Sequence, residues 1–374
     1  MKTWFFTETA YPYLPDEYES IRVVLPNRIF NPRVGAELYH RYLDEWLHAE
    51  EAGLDIMLNE HHQTATCLDP AAPLMLAILA RETSKARLLI LGNPIANRRQ
   101  PVRVAEEMAM VDNLSRGRLE CGFVRGVPYE ISAMNSSPVR MSERFWEAHD
   151  LIMKAWTSHD GPFSWEGRYF HHRQVNIWPR PYQEPHPPVW ITSLSPGSIA
   201  PIADRRYVVG TFLTGFDGSK AIFNAYRERA HENGWEAPND RFAYAALVYT
   251  GETDEEGFAG ARKLMWYIES NHVSPQFINP PGYVPPEVAA KAMRNGGSLY
   301  KYDKPNLEGL ISQGVVFAGN PDTVFKQIKT MYDYNGGFGH LLVMGQAGFL
   351  DNKETVRGID LLAKEVYPRL KELH

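Results

Sequence analysis

Residues 101–126 read PVRVAEEMAMVDNLSRGRLECGFVRG, and the succession of patterns within them decides the fold class. Val102, Ala105, Met108, Ala109 and Val111 give a helix its apolar face, and Asp112-Asn113-Leu114 ends it. Ser115-Arg116-Gly117-Arg118 turns the chain. Leu119–Val124 is a short, mostly apolar run, the pattern of a strand buried on both faces. Arg125-Gly126 then sits just past the carboxyl end of that strand. A guanidinium can grip two anionic oxygens at once, and a neighbouring glycine lets the backbone come close. In parallel α/β folds this is the end where ligands bind.

Working outward, the same alternation recurs on both sides. Strands are expected at Thr3–Thr7, Leu54–Leu58, Arg87–Leu91, Leu119–Val124, Pro188–Ile191, Tyr207–Val209, Phe242–Thr250 and Gly339–Met344. Helices are expected at Leu38–Ala52, Ala71–Thr83, Pro101–Leu114, Ser142–Trp156, Ile199–Asp204, Lys220–Asn233 and Glu255–Tyr267. A further helix begins at Asn320-Pro321, with the proline in its first turn, and a last one follows Asp351. A Pro- and Tyr-rich loop is expected from Ala10 to about Gly35. Two stretches interrupt the rhythm. Residues 157–188 are rich in aromatics, histidine and proline and read as a short hairpin with a lead-in loop; residues 271–314 are rich in Pro, Gly and Asn. Eight strand–helix pairs imply an α/β chain folded as a (β/α)8 TIM barrel, a single domain over residues 1–374 with two large loop insertions.

Bulk properties narrow the function. A formal charge of −6 and the lack of any Lys/Arg run argue against nucleic acid as a partner. Two cysteines, Cys67 and Cys121, do not make a disulfide framework and suit a reducing compartment. The first residues, MKTWFFTET, lack a signal-peptide core, and no apolar run reaches the length of a membrane span. A cytoplasmic, globular enzyme is expected.

Three strand tips carry the candidate chemistry. Glu60-His61-His62 follows the second strand. The plain reading of adjacent histidines is packing, but at a barrel strand's carboxyl tip they are placed to act as general acid–base or hydrogen-bond donors. They point opposite ways on extended backbone and have no metal-ligand spacing around them, so no metal is expected. Ser193, Ser195 and Ser198 surround Pro196-Gly197 at the fifth strand's tip, where a helix start either is merely capped by serine or holds a phosphate. Strands four and five are neighbours, so Arg125-Gly126 and this serine turn are expected to share one phosphate. Gly92-Asn93-Pro94 ends the third strand, either as a simple turn or as a close backbone and amide beside a planar ring. Gly336-Gly337 precedes a strand and is no dinucleotide fingerprint, and neither a Gly-x-Ser-x-Gly elbow nor a Walker motif occurs.

Taken in order, these segments resemble the luciferase-like flavin-dependent monooxygenases, the family of bacterial luciferase. The resemblance runs through Glu50-x-x-Gly53-Leu54-Asp55 into Glu60-His61-His62, Leu91-Gly92-Asn93, Pro101-Val102-Arg103-Val104-Ala105-Glu106, Asp112-Asn113-Leu114-Ser115-x-Gly117-Arg118 and Gly122-x-x-Arg125-Gly126. It continues in Pro187-Pro188-Val189-Trp190 with Ser193 and Ser195, and in Gly319-Asn320-Pro321-Asp322-x-Val324. Each motif alone is weak; their order and spacing together are specific.

The resemblance implies a barrel that uses reduced FMN, supplied by a separate NAD(P)H:flavin reductase, and O2 to oxygenate a small organic substrate through a flavin C4a-peroxide. It implies that Arg125 with Gly126 holds one side of the flavin phosphate and that Ser193, Ser195, Gly197 and Ser198 hold the other. It places Gly92-Asn93 under the isoalloxazine ring, where the family often has a non-prolyl cis peptide, and His61 or His62 at the reaction face. It also implies a homodimer joined through the helices beside strands two and three. The competing readings are a deazaflavin (F420)-dependent oxidoreductase on the same barrel, a flavin-binding protein without turnover, and a metal-dependent barrel hydrolase.

Overall fold

The computed structural model describes residues 1–15, 18, 20–270, 273, 275–288, 290 and 306–373. The expected eight-stranded parallel barrel closes. Its strands are β1 (Lys2–Thr7), β2 (Asp55–Leu58), β3 (Leu88–Pro94) and β4 (Leu119–Val124), then β7 (Val189–Thr192), β8 (Val208–Phe212), β9 (Phe242–Thr250) and β11 (His340–Gln346). Lys2 pairs with His340 and Trp4 with Asp55, so β1 seals the ring between β11 and β2. The helices on the outside include α1 (Pro32–Glu51), α2 (Ala72–Glu82), α3 (Pro101–Leu114) and α4 (Met141–Thr157). Later come α5 (Ala200–Asp204), α6 (Gly215–Glu232), α7 (Asp254–Leu264) and α8 (Trp266–Glu269). The first insertion contains the antiparallel hairpin β5 (Phe163–Glu166) and β6 (His171–Val175).

The pleat sorts the core into two layers. Trp4, Phe6, Met57, Leu89, Trp190, Leu342 and Met344 fill the barrel, while their chain neighbours Phe5, Ile56, Leu88, Ile90, Ile191 and Val343 pack outward under the helices. At the amino ends of the strands Trp4, Trp190 and His340 form a floor. Trp4 Nε1 donates to His340 Nδ1 at 3.1 Å, and Trp190 Nε1 donates to Glu120 Oε2 at 2.6 Å. Burial, helped by the charge of Lys2, brings the His340 imidazole down to about 3, so it serves the floor as a neutral acceptor.

The motifs of the opening stretch tie this lower face together. Asp112 accepts from the backbone and side-chain N–H groups of Gln183, each at 2.8 Å. The Arg118 guanidinium donates to the carbonyls of Ala80, Thr83 and Ala86. Glu50 Oε1 accepts the backbone N–H groups of Ser84, Lys85 and Ala86. Gly117 takes φ +81° in the turn between α3 and β4.

Four expectations are corrected. Helix α1 starts at Pro32 rather than Leu38, because Asn31 caps it by accepting from Arg33 N and Pro32 opens its first turn. Strand β3 runs on to Pro94, so Gly92-Asn93 lies inside the strand, at a register shift between Ile90 and Asn93. Helix α6 begins at Gly215, five residues before Lys220. A ninth strand, β10 (Val316–Gly319), lies beside the barrel: β8 pairs with residues 242–245 of β9, and β10 pairs with residues 247–250. In the second insertion, residues 275–288 include the short α9 (Pro275–Ile278), and α10 (Leu307–Ser312) leads into β10; residue 289 and residues 291–305 lie outside the described residues. No helix among the described residues is long and apolar enough to cross a membrane.

Candidate active site

The carboxyl ends of β1 to β4 and β7 gather the polar groups of the barrel mouth. After β2, Asn59 Nδ2 donates to Glu8 Oε2 at 3.0 Å, tying the tips of β1 and β2. The two histidines go to different carboxylates, as their opposed directions on extended backbone require. His61 Nδ1 lies 3.1 Å from Glu130 Oε1, and His62 Nε2 lies 3.0 Å from Glu60 Oε1. Glu130 Oε1 also accepts the His62 backbone N–H at 2.8 Å, so one buried carboxylate fixes both residues. Glu60 is held in turn by Arg98. Burial disfavours the charged His61 ring, but the hydrogen bond and charge of Glu130, with the charge of Glu8, outweigh it and leave the imidazole above its ordinary range. Glu8, buried at the end of β1, is itself raised by burial despite nearby His61, Asn59 and Arg22.

At the third tip the Leu91–Gly92 bond is cis. Glycine is required there by space: a Cβ on Gly92 would sit 2.8 Å from the carbonyl oxygen of Gly122, and one on Gly122 would sit 2.4 Å from that of Ile90. The Asn93 side chain turns into the wall, where its Nδ2 donates to Gly122 O at 3.2 Å and its Oδ1 has no partner. Met108 Sδ and Cys121 Sγ also lie near Nδ2, so the amide packs within the wall.

At the fourth tip Arg125 is exposed, and its partner comes from the second insertion. The guanidinium stacks 4.4 Å from the Tyr283 ring centroid, and Nη2 donates to the Tyr283 hydroxyl at 2.7 Å. Gly126 takes φ +98°, and a Cβ there would lie 2.5 Å from Asn97 Nδ2. Asn97 is 2 % exposed, yet neither atom of its amide has a hydrogen-bond partner among the described residues.

Strand β7 brings the serines alongside. Phe123 of β4 pairs with Ile191 of β7, and Arg125 and Ser193 each lie two residues further on. Ser193 Oγ sits 2.7 Å from Ser198 Oγ and donates to Ser195 O at 3.0 Å, while Ser195 Oγ accepts from Gly197 N at 3.3 Å. The helix start is a 3-10 turn, Pro196–Ser198, followed by the five-residue α5, so hydroxyls and turn N–H groups outweigh any macrodipole.

Sequence reasoning missed Glu8, Glu130, Asn97 and Arg22. Glu130 belongs to a 3-10 turn after β4, and Arg22 to the loop before α1; neither carries a spacing signal. Arg22 is 4 % exposed, donates through Nη1 to the Tyr129 hydroxyl at 2.7 Å, and has its guanidinium carbon 5.0 Å from the Tyr129 ring centroid and 6.0 Å from that of Tyr267.

Comparison with known proteins meets this geometry from outside. The sequence profile of luciferase-like monooxygenases matches residues 20–337. The chain is 22% identical over 385 residues to 3,6-diketocamphane 1,6-monooxygenase of Pseudomonas putida, covering 91% of this chain and 97% of that protein. It is 28% identical over 175 residues to the oxygenase component of the flavin-dependent trigonelline monooxygenase of Acinetobacter baylyi, a match of 46% of this chain and 48% of that protein, so about half of each. Among solved structures it superimposes with TM-score 0.76 and 21% identity on the oxygenating constituent of 3,6-diketocamphane monooxygenase from Pseudomonas putida, a type II Baeyer-Villiger monooxygenase in complex with FMN, covering 99% and 98% of the two chains. An F420-dependent secondary alcohol dehydrogenase superimposes with TM-score 0.68 and 16% identity, covering 98% of each chain.

Proposed function

Because this chain belongs to the luciferase-like monooxygenase family, we propose that it is the oxygenase of a two-component flavin system, using reduced FMN and O2 to put one oxygen atom into a small organic substrate. Reduced FMN supplies two electrons and activates O2; one oxygen atom enters the substrate and the other leaves as water. The rest is the work of this chain. Arg125 and the hydroxyls of Ser193, Ser195 and Ser198 would hold the phosphate, with Gly126 and Gly197 giving close backbone approach. Gly92, with Asn93 behind it in the wall, would seat the ring. His61, with Nδ1 on Glu130, would give or take a proton through Nε2, while His62 is held by Glu60 and braces the tip.

The observation that carries this reading is an arginine and a serine turn side by side on the same barrel rim as a carboxylate-paired histidine. Arg125 has no carboxylate partner among the described residues, only the neutral Tyr283, and the unpartnered amide of Asn97 lies against Gly126. These groups fit a phosphorylated planar cofactor. The relative described as an oxygenase component supports a separate reductase. Two free, buried cysteines suit the cytoplasm. A homodimer is supported by an apolar stripe left bare on neighbouring helices, Leu74 and Ile78 of α2 with Met110 and Leu114 of α3.

Anaerobic titration with reduced FMN, followed by exposure to oxygen, tests the reading. Expected are saturable binding and a return of the oxidised-flavin spectrum slower than for FMN free in solution. No binding of reduced FMN would overturn it. The likeness to an F420 enzyme favours a second reading, hydride transfer by a deazaflavin, which predicts F420 binding in preference to FMN and no oxygen uptake.

A further inference from the structure

Arg22 is a buried cation with two of its three guanidinium nitrogens unengaged among the described residues. Its Nη1 is engaged by Tyr129, and the two tyrosine rings flank the guanidinium. Its Nε and Nη2 are buried and, among the described residues, make no hydrogen bond of ordinary length, with the Tyr267 side chain as a further neighbour of the guanidinium. Those two nitrogens share one edge of the planar group, the side-on fork that receives both oxygens of a carboxylate. Among the described residues no carboxylate forms an ion pair with it, and Arg22 stays charged at any working pH. Buried donors in folded proteins are almost always satisfied, and a buried charge left unpaired is costly. A bare fork in such a place is what an absent anionic partner leaves behind.

Its position says which partner. The loop carrying Arg22 pairs with the segment after the histidines: Arg22 bridges to Thr64, and Val23 N donates to Gln63 O at 2.6 Å. The charge of Arg22 is felt by both His61 and Glu8. Arg22 therefore lies at the mouth, on the His61 side, whereas Arg125 stands at the β4 tip beside the serine turn. We propose that the substrate of this enzyme carries a carboxylate, and that Arg22 binds it side-on through Nε and Nη2 while Tyr129 and Tyr267 hold the guanidinium in plane. Two coplanar donors match the two oxygens of a carboxylate, and a dianionic phosphate would add more negative charge beside Glu8. The assignment of Arg22 as a substrate anchor rests on the oxygenase reading, but the carboxylate site itself does not require flavin.

Calorimetric titration of the full chain, with and without FMN, tests this using two matched pairs of probes, benzoate against benzamide and hexanoate against hexanamide. In the wild type at least one acid is expected to bind ten-fold or more tightly than its amide. In Arg22→Gln that preference disappears, and in Arg22→Lys, which keeps the charge without the fork, it falls most of the way. FMN affinity is unchanged in both variants. No acid preference in the wild type, the result expected of a fork that holds only water, overturns the proposal even if the variants fail to fold; so does a preference that survives Arg22→Gln. Acid preference without any FMN binding keeps the carboxylate site and sinks the flavin reading instead.

Discussion

Replacing Glu130 with glutamine removes one charge and almost nothing else from the mouth. The introduced amide oxygen can still accept the His62 backbone N–H that Glu130 Oε1 now takes at 2.8 Å, so the tip of β2 keeps its shape. What His61 loses is a carboxylate 3.1 Å from Nδ1, with the histidine side chain 20% exposed and the glutamate 1% exposed. A hydrogen bond to a charged group contributes about 1.5–3 kcal/mol. At about 1.4 kcal/mol per pKa unit, the His61 pKa should fall by about one to two units. The sign follows from the balance of causes: burial pushes the imidazole down, Glu130 and then Glu8 push it up, and Arg22 pushes it down. Without Glu130 the strongest upward push is gone and burial is opposed only by Glu8, so the ring titrates lower than in the wild type. Because the native His61 is raised, its contribution to stability is fully present below the unfolded pKa of about 6.5 and is lost as pH rises through the folded value. The gap in unfolding free energy between wild type and variant should therefore be widest in acid and narrow with increasing pH. Imidazole NMR titration, with His61→Asn to identify the resonance, measures the shift directly. An upward shift, or one under about 0.3 unit, would refute the claim that Glu130 sets the protonation of His61.

Further perturbations address the other parts. Arg125→Gln should weaken FMN binding by about 10- to 100-fold, the loss of one or more charge-assisted hydrogen bonds, while leaving the melting temperature near that of wild type; fluorescence quenching of FMN measures it. Gly122→Ala should destabilise the fold by the upper part of the overpacking range, about 1–3 kcal/mol by urea titration, because the new methyl meets the Ile90 carbonyl at 2.4 Å and the Leu91 Cα at 3.0 Å, and backbone cannot step aside. Ile78→Glu with Met110→Glu should convert a dimer to monomers in light scattering with the fold retained, since both side chains are about half exposed in the single chain.

Much of the barrel was legible because its signals are local. Leu119–Val124 and Pro101–Leu114 fall where the apolar pattern puts them, since a buried parallel strand and an amphipathic helix each declare themselves within a few residues. Strand β10 was not legible: V-F-A-G is too short for its period to register. The motifs that identify the family proved largely architectural. Glu50, Asp112 and Arg118 stitch the lower face, whereas the groups that complete the mouth, Glu8, Arg22 and Glu130, stand in segments with no pattern. Their meaning arises only when loops distant in sequence meet, Arg22 against Tyr129 and Glu130 against His61. The serine turn and Arg125 lie between these cases. The register of β4 on β7 makes them neighbours, which a strand count anticipates; the covering of Arg125 by Tyr283 it cannot.

The ninth strand has a consequence for how such a scaffold can change. The chain leaves β9 at Thr250 and returns as β10 in register with the same residues, Gly319 against Thr250. Gly251 N donates to Gly319 O at 2.9 Å, and Asn320 N donates to Asp254 Oδ1 at 2.8 Å, so the two ends of the excursion are sewn to each other at its root. Hydrogen-bonded strands lie about 4.8 Å apart, and lengthening a loop whose ends are already joined costs little entropy. Beyond α7 and β10, whose Ala261, Leu264, Val316 and Ala318 pack in the core, the excursion can change in length and composition to suit a new guest while the closure of the ring, which passes through β8, β9 and β11, goes undisturbed.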